Sequence, residues 1–193
     1  GELLGEDQSG QINSIGFTLY MDMLDRAVKA IQQGKTVDLE NNAEDHIEVN
    51  LRIPALIPDD YLPDVQERLV LYKRIANADS EDAIRELQVE MIDRFGLLPD
   101  ACKNLFRCAQ LRLQASQMGL AKIEASSAAC RVEFAEDTQV EPMAIVKLVQ
   151  SNAVKYQMDG ANALKVKLDD GEAEQRIAAV EDLLEKLAAS SNN

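Results

Sequence analysis

Near Gly119 the hydrophobic pattern changes period, and no other feature of this chain constrains its fold as much. Between Pro63 and Gly119 apolar residues recur three and four positions apart, the spacing that puts them on one side of an α-helix. Beyond Gly119, Ala121-Lys122-Ile123-Glu124 and Arg131-Val132-Glu133-Phe134 alternate, as half-buried strands do. Helices followed by hairpins mixed with helices define an α+β class, with several helices packed on a small, antiparallel sheet.

The elements follow from that pattern. Glu48 to Ile53 alternates and reads as a strand, after which Pro54, Pro58 and Pro63 forbid regular structure and hold an extended crossover. Pro63 suits the first position of a helix whose buried stripe is Val65, Leu69, Tyr72 and Ala76. Asp79-Ser80 caps a second helix, which Gly96 ends at Arg94 or Phe95. Pro99 opens a third, with Cys102, Leu105, Phe106, Ala109 and Leu113 on one side. A turn at Ser126-Ser127 joins the first two strands of the second half, and Glu141-Pro142 starts a short helix through Val149. Further strands are expected near Tyr156-Gln157-Met158 and Leu164 to Leu168, joined across Asp159-Gly160. Ile177, Val180, Leu184 and Leu187 mark a last helix. At the other end, Phe17, Tyr20, Met21, Leu24, Val28 and Ile31 predict a helix stopping at Gly34, and the polar, aperiodic run 35–46 reads as a linker. Residues 1–41 are therefore a lead-in and 42–193 a compact domain.

Charge narrows the partners. The 193 residues carry a net charge of −14, with a pI near 4.5. Seven acids and three bases lie in residues 1–41, so most of the excess sits in the compact domain. Nucleic-acid surfaces are basic, because binding neutralises phosphates, so direct nucleic-acid binding is not expected. Three cysteines, Cys102, Cys108 and Cys130, lack the pairing or short spacing of a disulfide framework or zinc site, and His46 is the single histidine. A reducing cytoplasm fits these features, and no run of about 18 apolar residues suggests a bilayer span.

A catalytic reading finds little to work with. No Gly-x-x-x-x-Gly-Lys-Ser/Thr loop or Gly-x-Ser-x-Gly elbow is present, and no cofactor is implied. Asp59-Asp60 is a carboxylate pair, yet flanking prolines make it a turn or cap signal. A stripe on the helix from Ser80 to Phe95 stands out instead. At about 100° per residue, with Asp82 at zero, Glu86, Glu90 and Asp93 fall near 40°, 80° and 20°. Ile84, Leu87, Met91 and Phe95 fall between roughly 140° and 220° on the same count. One side of the helix is buried, and the other presents four carboxylates, edged by Arg85 and Arg94. Such a row suits docking of arginines, whose forks bind carboxylates in bidentate fashion. A solvated acidic face, a small hydrolase and a DNA mimic are the competing readings.

Longer motifs point to a family. Gly5-Glu6-Asp7-Gln8-Ser9-Gly10, followed by Ile15 to Leu24, resembles the end of the translocation motif shared by RecG-type DNA motors and the bacterial transcription-repair coupling factors. Leu51 to Pro63 and Ile92-Asp93-Arg94-Phe95-Gly96-Leu97-Leu98-Pro99 resemble the carboxy-terminal domain of the coupling factors. The resemblance covers nearly the whole chain. It implies a carboxy-terminal fragment in which 1–41 ends the motor, with a hook-like helix and linker, and 42–193 is a non-enzymatic regulatory domain. It further implies a parent that is an ATP-dependent DNA translocase, displacing stalled RNA polymerase and recruiting nucleotide-excision repair. In that family the carboxy-terminal domain packs on an amino-terminal UvrB-like module of the same polypeptide, masking UvrA binding and restraining translocation. Carried over to this sequence, the contact acids are Glu90 and Asp93; Asp82 and Glu86 are added from the helix geometry. Gln8 matches a polar position of the translocation motif, whose arginine-bearing first half is not in the chain. The alternative is an interaction module for a separate partner, such as UvrA or RNA polymerase.

Overall fold

A computed structural model describes residues 47–190, which divide into two compact units. The expected helix at Phe17, the linker 35–46 and Gln8 lie outside the described residues, as does His46.

The first unit, residues 53–113, is helical. The proline-bearing segment leads into α1 (Val65–Asn77), followed by α2 (Glu81–Phe95) and the greater part of α3 (Asp100–Met118). Its core gathers Ile57 and Leu62 from the extended segment, Leu71, Tyr72 and Ile75 from α1, Ile84, Leu87 and Met91 from α2, and Cys102, Leu105, Phe106 and Ala109 from α3. Backbone groups in the extended segment find partners without a ladder: Leu56 N–H donates to Ala101 O at 3.1 Å, and Asn104 Nδ2 donates to Pro54 O at 2.9 Å. Buried backbone polar groups require such partners. Asp59 and Asp60 are exposed and occupy the turn closed by Leu62 N–H donating to Pro58 O at 3.0 Å.

Two details of α1 depart from the sequence expectation. The helix begins at Val65, two residues beyond Pro63, because Asp64 caps it: its Oδ1 accepts from the amides of Gln66 at 2.8 Å and Glu67 at 3.2 Å. A carboxylate satisfies two otherwise orphaned amides, which proline cannot do. The buried stripe is Leu71, Tyr72 and Ile75, whereas Val65 and Leu69 are 57% and 39% exposed. Apolar residues lie on several sides of this helix, so the three-and-four spacing matches two faces, and packing against α2 and α3 selects the one carrying Ile75.

The second unit combines residues 47–52 with those from 114 onward. It holds β1 (Glu48–Asn50), β2 (Leu120–Ala125), β3 (Ala129–Phe134), α4 (Pro142–Ser151), β4 (Tyr156–Met158), β5 (Ala163–Lys167) and α5 (Ala173–Ser190). The five strands form one sheet in the order β1-β2-β3-β5-β4. The β2/β3, β3/β5 and β4/β5 pairs are antiparallel, and β1 runs parallel to β2 with Val49 opposite Ile123. The α+β class holds, with a mixed sheet. β1 is shorter than the alternation suggested, ending at Asn50, and Arg52 beyond it adopts φ +54°. One sheet face buries Ile123, Val132, Leu164 and Val166, with α5 packed on β3 and α4 on α5 and β4. The other face is a charged lattice: Lys122 lies 3.8 Å from Glu48 and 3.5 Å from Glu124, and Arg131 reaches Glu124 at 3.5 Å, Glu133 at 3.3 Å and Asp159 at 2.7 Å.

At Gly119, which joins α3 to β2, the period of the sequence changes and φ is +74°. A Cβ there would lie 2.6 Å from the Thr138 Cα, so both the backbone conformation and the close approach of the 135–140 loop require glycine.

Candidate functional site: the acidic face of helix α2

Local chemistry fixes α2 at both ends. Ser80 Oγ accepts from Ala83 N–H at 3.1 Å, and Gly96, at φ +96°, donates its N–H to Ile92 O at 2.9 Å. The Tyr61 hydroxyl sits 2.8 Å from Gly96 O and 3.2 Å from Met91 O, its hydrogen shared between them, and its ring meets Phe95 edge-on at 6.0 Å. The proline-bearing segment thus clamps the carboxy-terminal turn that carries Asp93. Ile84, Leu87 and Met91 are buried, as the wheel predicted, and Phe95 is partly so.

The four acids have unequal partners. Glu90 faces α1: Arg74 forks onto it, Nη2 to Oε1 at 3.2 Å and Nη1 to Oε2 closer still, and Arg94 Nη1 lies 4.0 Å away. The hydrogen bond from Arg74 holds the Glu90 carboxyl below the usual carboxylate range, with the charges of Arg74 and Arg94 acting in the same sense. Arg94 also bonds Glu67 at 3.1 Å and stacks over the Phe95 ring at 4.7 Å. Among the described residues Asp82 pairs with Arg85, at 3.4 Å with both side chains largely exposed. Glu86 and Asp93 are exposed and have no ion-pair partner among the described residues. α2 carries five acids (Glu81, Asp82, Glu86, Glu90, Asp93) against two bases (Arg85, Arg94), so its outer face stays negative.

Arg74 and Glu67, which together with Arg94 bind α1 to α2 across the acid row, were not singled out from sequence. Arg74 sits in the last turn of α1, and only the true buried stripe of that helix reveals that it faces Glu90. Between the helices lies a cleft of about 490 Å³, lined by Lys73, Arg74, Asn77, Ala83, Glu86 and Glu90 among others. Val89 and Ile92, 53% and 39% exposed, neighbour Asp93 on the outer face, and Leu97 just past the helix is 86% exposed. Acids flanked by exposed apolar side chains compose a surface suited to a basic partner with an apolar anchor.

Cys102 and Cys130 are buried, and Cys108 is partly so. Burial pushes the Cys102 thiol up to about 12 and the Cys130 thiol up to about 11, so both are protonated core residues at neutral pH. Among the described residues no group of three or more His, Cys, Asp or Glu could hold a metal ion, and no helix is long and apolar enough to cross a membrane.

Fold and surface together define an α+β protein that exposes an acidic face on a capped helix. Residues 51–146 match the model of the TRCF domain family. The chain is 47% identical to the transcription-repair-coupling factor of Haemophilus influenzae over 98% of its own length, and 44% identical to that of Escherichia coli over 97%. It spans 16% of the length of each of these relatives. A solved structure, the C-terminal domain of transcription-repair coupling factor, shares the fold with a TM-score of 0.60 at 24% identity, over 75% of this chain and 95% of that one. The chain belongs to the transcription-repair-coupling factor family.

Proposed function

We propose that residues 42–193 are the autoregulatory domain of a transcription-repair coupling factor, and that the α2 acids form its latch. The latch closes on arginines of a UvrB-like module in the same polypeptide, masking the UvrA-binding surface and restraining translocation. The parent is an ATP-dependent DNA translocase acting on stalled RNA polymerase in the cytoplasm, and this portion contributes regulation without catalysis. Gln8 belongs to the translocation motif, whose coupling role needs the motor.

The observation that carries this reading is the uneven pairing of the acids. Asp93 and Glu86 face outward with charge to spare, next to exposed Val89 and Ile92. Glu90 is held in one geometry by Arg74, whose hydrogen bond lowers its pKa and so favours the charged form. A positioned carboxylate beside free ones can accept an incoming guanidinium at little ordering cost. Because the partner is tethered, weak affinity suffices.

The test is calorimetric titration of this chain with the UvrB-like module at two salt concentrations, using Asp93→Asn and Glu90→Ala/Asp93→Ala variants. Salt-sensitive binding lost in both variants supports the latch. Asp93→Asn is the cleaner probe, since it breaks no ion pair among the described residues. Binding that survives both variants moves the contact elsewhere, and absence of binding sinks the proposal.

A further inference from the structure

The second unit carries an apolar groove that shares no residue with α2. Alternation along β3 and the registers of β4 and β5 put Phe134 and Met158 on the same sheet face as Val132 and Leu164. Helices α4 and α5 pack on that face and leave it open between Phe134, Met158 and one side of α4. The gap holds about 970 Å³. Val146 and Met158, at its rim, are 40% and 44% exposed, so apolar surface is left to water.

Shape and charge together define what would fill it. With Pro142 at zero and about 100° per residue, Ile145, Val146 and Val149 fall near 300°, 40° and 340°, a ridge two turns and about 10 Å long. A ridge at this spacing packs against the ridge of another helix, and a rim methionine adapts to the side chains that enter. Between residues 134 and 162 lie four acids, Glu136, Asp137, Glu141 and Asp159, and two bases, Lys147 and Lys155. Asp159 is taken by Arg131 at 2.7 Å. Glu136 lines the groove, Asp137 follows it, and Glu141 sits at the N-cap of α4 without a side-chain cap bond. These three are exposed and have no ion-pair partner among the described residues. The two bases leave them unanswered. Lys155 Nζ lies over the Tyr156 ring at 5.3 Å, and Lys147 falls near 140° on the α4 wheel, turned from the groove.

We propose that the groove docks an amphipathic helix of a partner protein. Apolar side chains one and two turns apart enter the gap, and a lysine or arginine meets Glu136 and Glu141. The apolar ridge supplies affinity, while the acids select the sign and orientation of what docks. A second copy of this chain is disfavoured, because two chains of net charge −14 repel each other.

The probe is a labelled synthetic Leu/Lys peptide of about 18 residues, long enough to hold a helix, with its leucines on one face. Its anisotropy is titrated with the full 193-residue chain, beside a Leu/Glu peptide of the same apolar face. The Leu/Lys peptide should bind at least about tenfold more tightly. Val146→Asp and Met158→Asp should each weaken it at least about tenfold, although both make the chain more acidic and so favour non-specific attraction. Glu136→Gln/Glu141→Gln should weaken it about two- to fivefold. Removing the same charge from outside the groove, in Glu172→Gln/Glu185→Gln, should cost less than about twofold. Hydrogen exchange of the β3 and β5 amides checks that each variant keeps its sheet. Equal binding of the Leu/Glu peptide, indifference to Val146→Asp and Met158→Asp, equal loss in the two glutamine pairs, or no binding overturns the proposal. So does a dimer of the unaltered chain in sedimentation that Val146→Asp dissolves, since a second copy would then be the occupant.

Discussion

The two units hold their charges in opposite ways. On the open face of the sheet, Glu48, Glu124, Glu133 and Asp159 each lie within 4 Å of Lys122 or Arg131, so the acids are answered inside the unit. On α2 Glu90 is answered by Arg74 and Arg94 and Asp82 by its own neighbour Arg85, while among the described residues Asp93 and Glu86 stay open. Both surfaces would read as highly charged from composition alone. A face whose charges are already paired gains little from a partner, and one with acids left over can gain charge-assisted bonds. The units also differ in what sets their shape. The helical unit rests on interdigitated side chains, with Phe106, Ile84 and Met91 fully buried, whereas the sheet unit depends on close backbone approach at Gly119.

Truncating the helical core gives the largest expected effect. Phe106→Ala should lower stability by about 3–5 kcal/mol, read as a shift of the denaturation midpoint at constant slope. Adding a single methyl to the sheet unit comes next. Gly119→Ala should lower stability by about 2–3 kcal/mol, from left-handed strain and the contact with Thr138. If Gly119→Ala is neutral, backbone approach does not define that unit.

Alkaline titration probes the helical core a second way. Burial lifts the Tyr72 hydroxyl to about 12, offset in part by its bond from the Ile57 amide at 2.6 Å. Its folded pKa lies above the unfolded value of 10.0, so the neutral hydroxyl's contribution is complete below pH 10 and lost as pH rises toward 12. The loss should be on the order of 2–3 kcal/mol for Tyr72. Cys102 and Cys130 act in the same direction from pH 9 upward. Midpoints measured from pH 9 to 12 should fall steeply for the unaltered chain and less steeply for Tyr72→Phe, which also starts lower because the Ile57 amide loses its acceptor.

Smaller effects sharpen the comparison. Arg52→Gly, at φ +54°, should stabilise by up to about 1 kcal/mol by relieving left-handed strain, or change nothing where the added chain entropy offsets it. Smallest of all is the Arg74–Glu90 pair, because both side chains are well exposed. A double-mutant cycle should show a weak favourable coupling that salt suppresses and that disappears as pH falls through and below the carboxylate range, following the lowered pKa of Glu90. A strong, salt-resistant coupling would make the inner edge of the acid row a structural brace.

Much of this was legible beforehand where chemistry is local. Ser80 and Gly96 bracket α2, the alternation of Ile123 and Val132 marks a hairpin, and Asp159-Gly160 turns the last one. α1 was misread at both ends of the argument. Val65 and Leu69 satisfy the helical spacing as well as Leu71 and Ile75 do, and nothing local separates the two faces. The acid row was visible as a row, but its division was not. Glu90 and Asp93 lie only about 60° apart on the wheel, and what divides them is the side on which α1 sits.

Sequence alone determined the order and type of the elements, the caps of α2, and the sign of its exposed face, because each depends on residues within a few positions of one another. Its motifs pointed to the family. Only the tertiary structure decided which face of α1 is buried, that β1 joins the sheet in parallel, and which acids Arg74 and Arg94 occupy. Those outcomes depend on contacts between residues far apart in the chain, where helical or strand period carries no information about the partner.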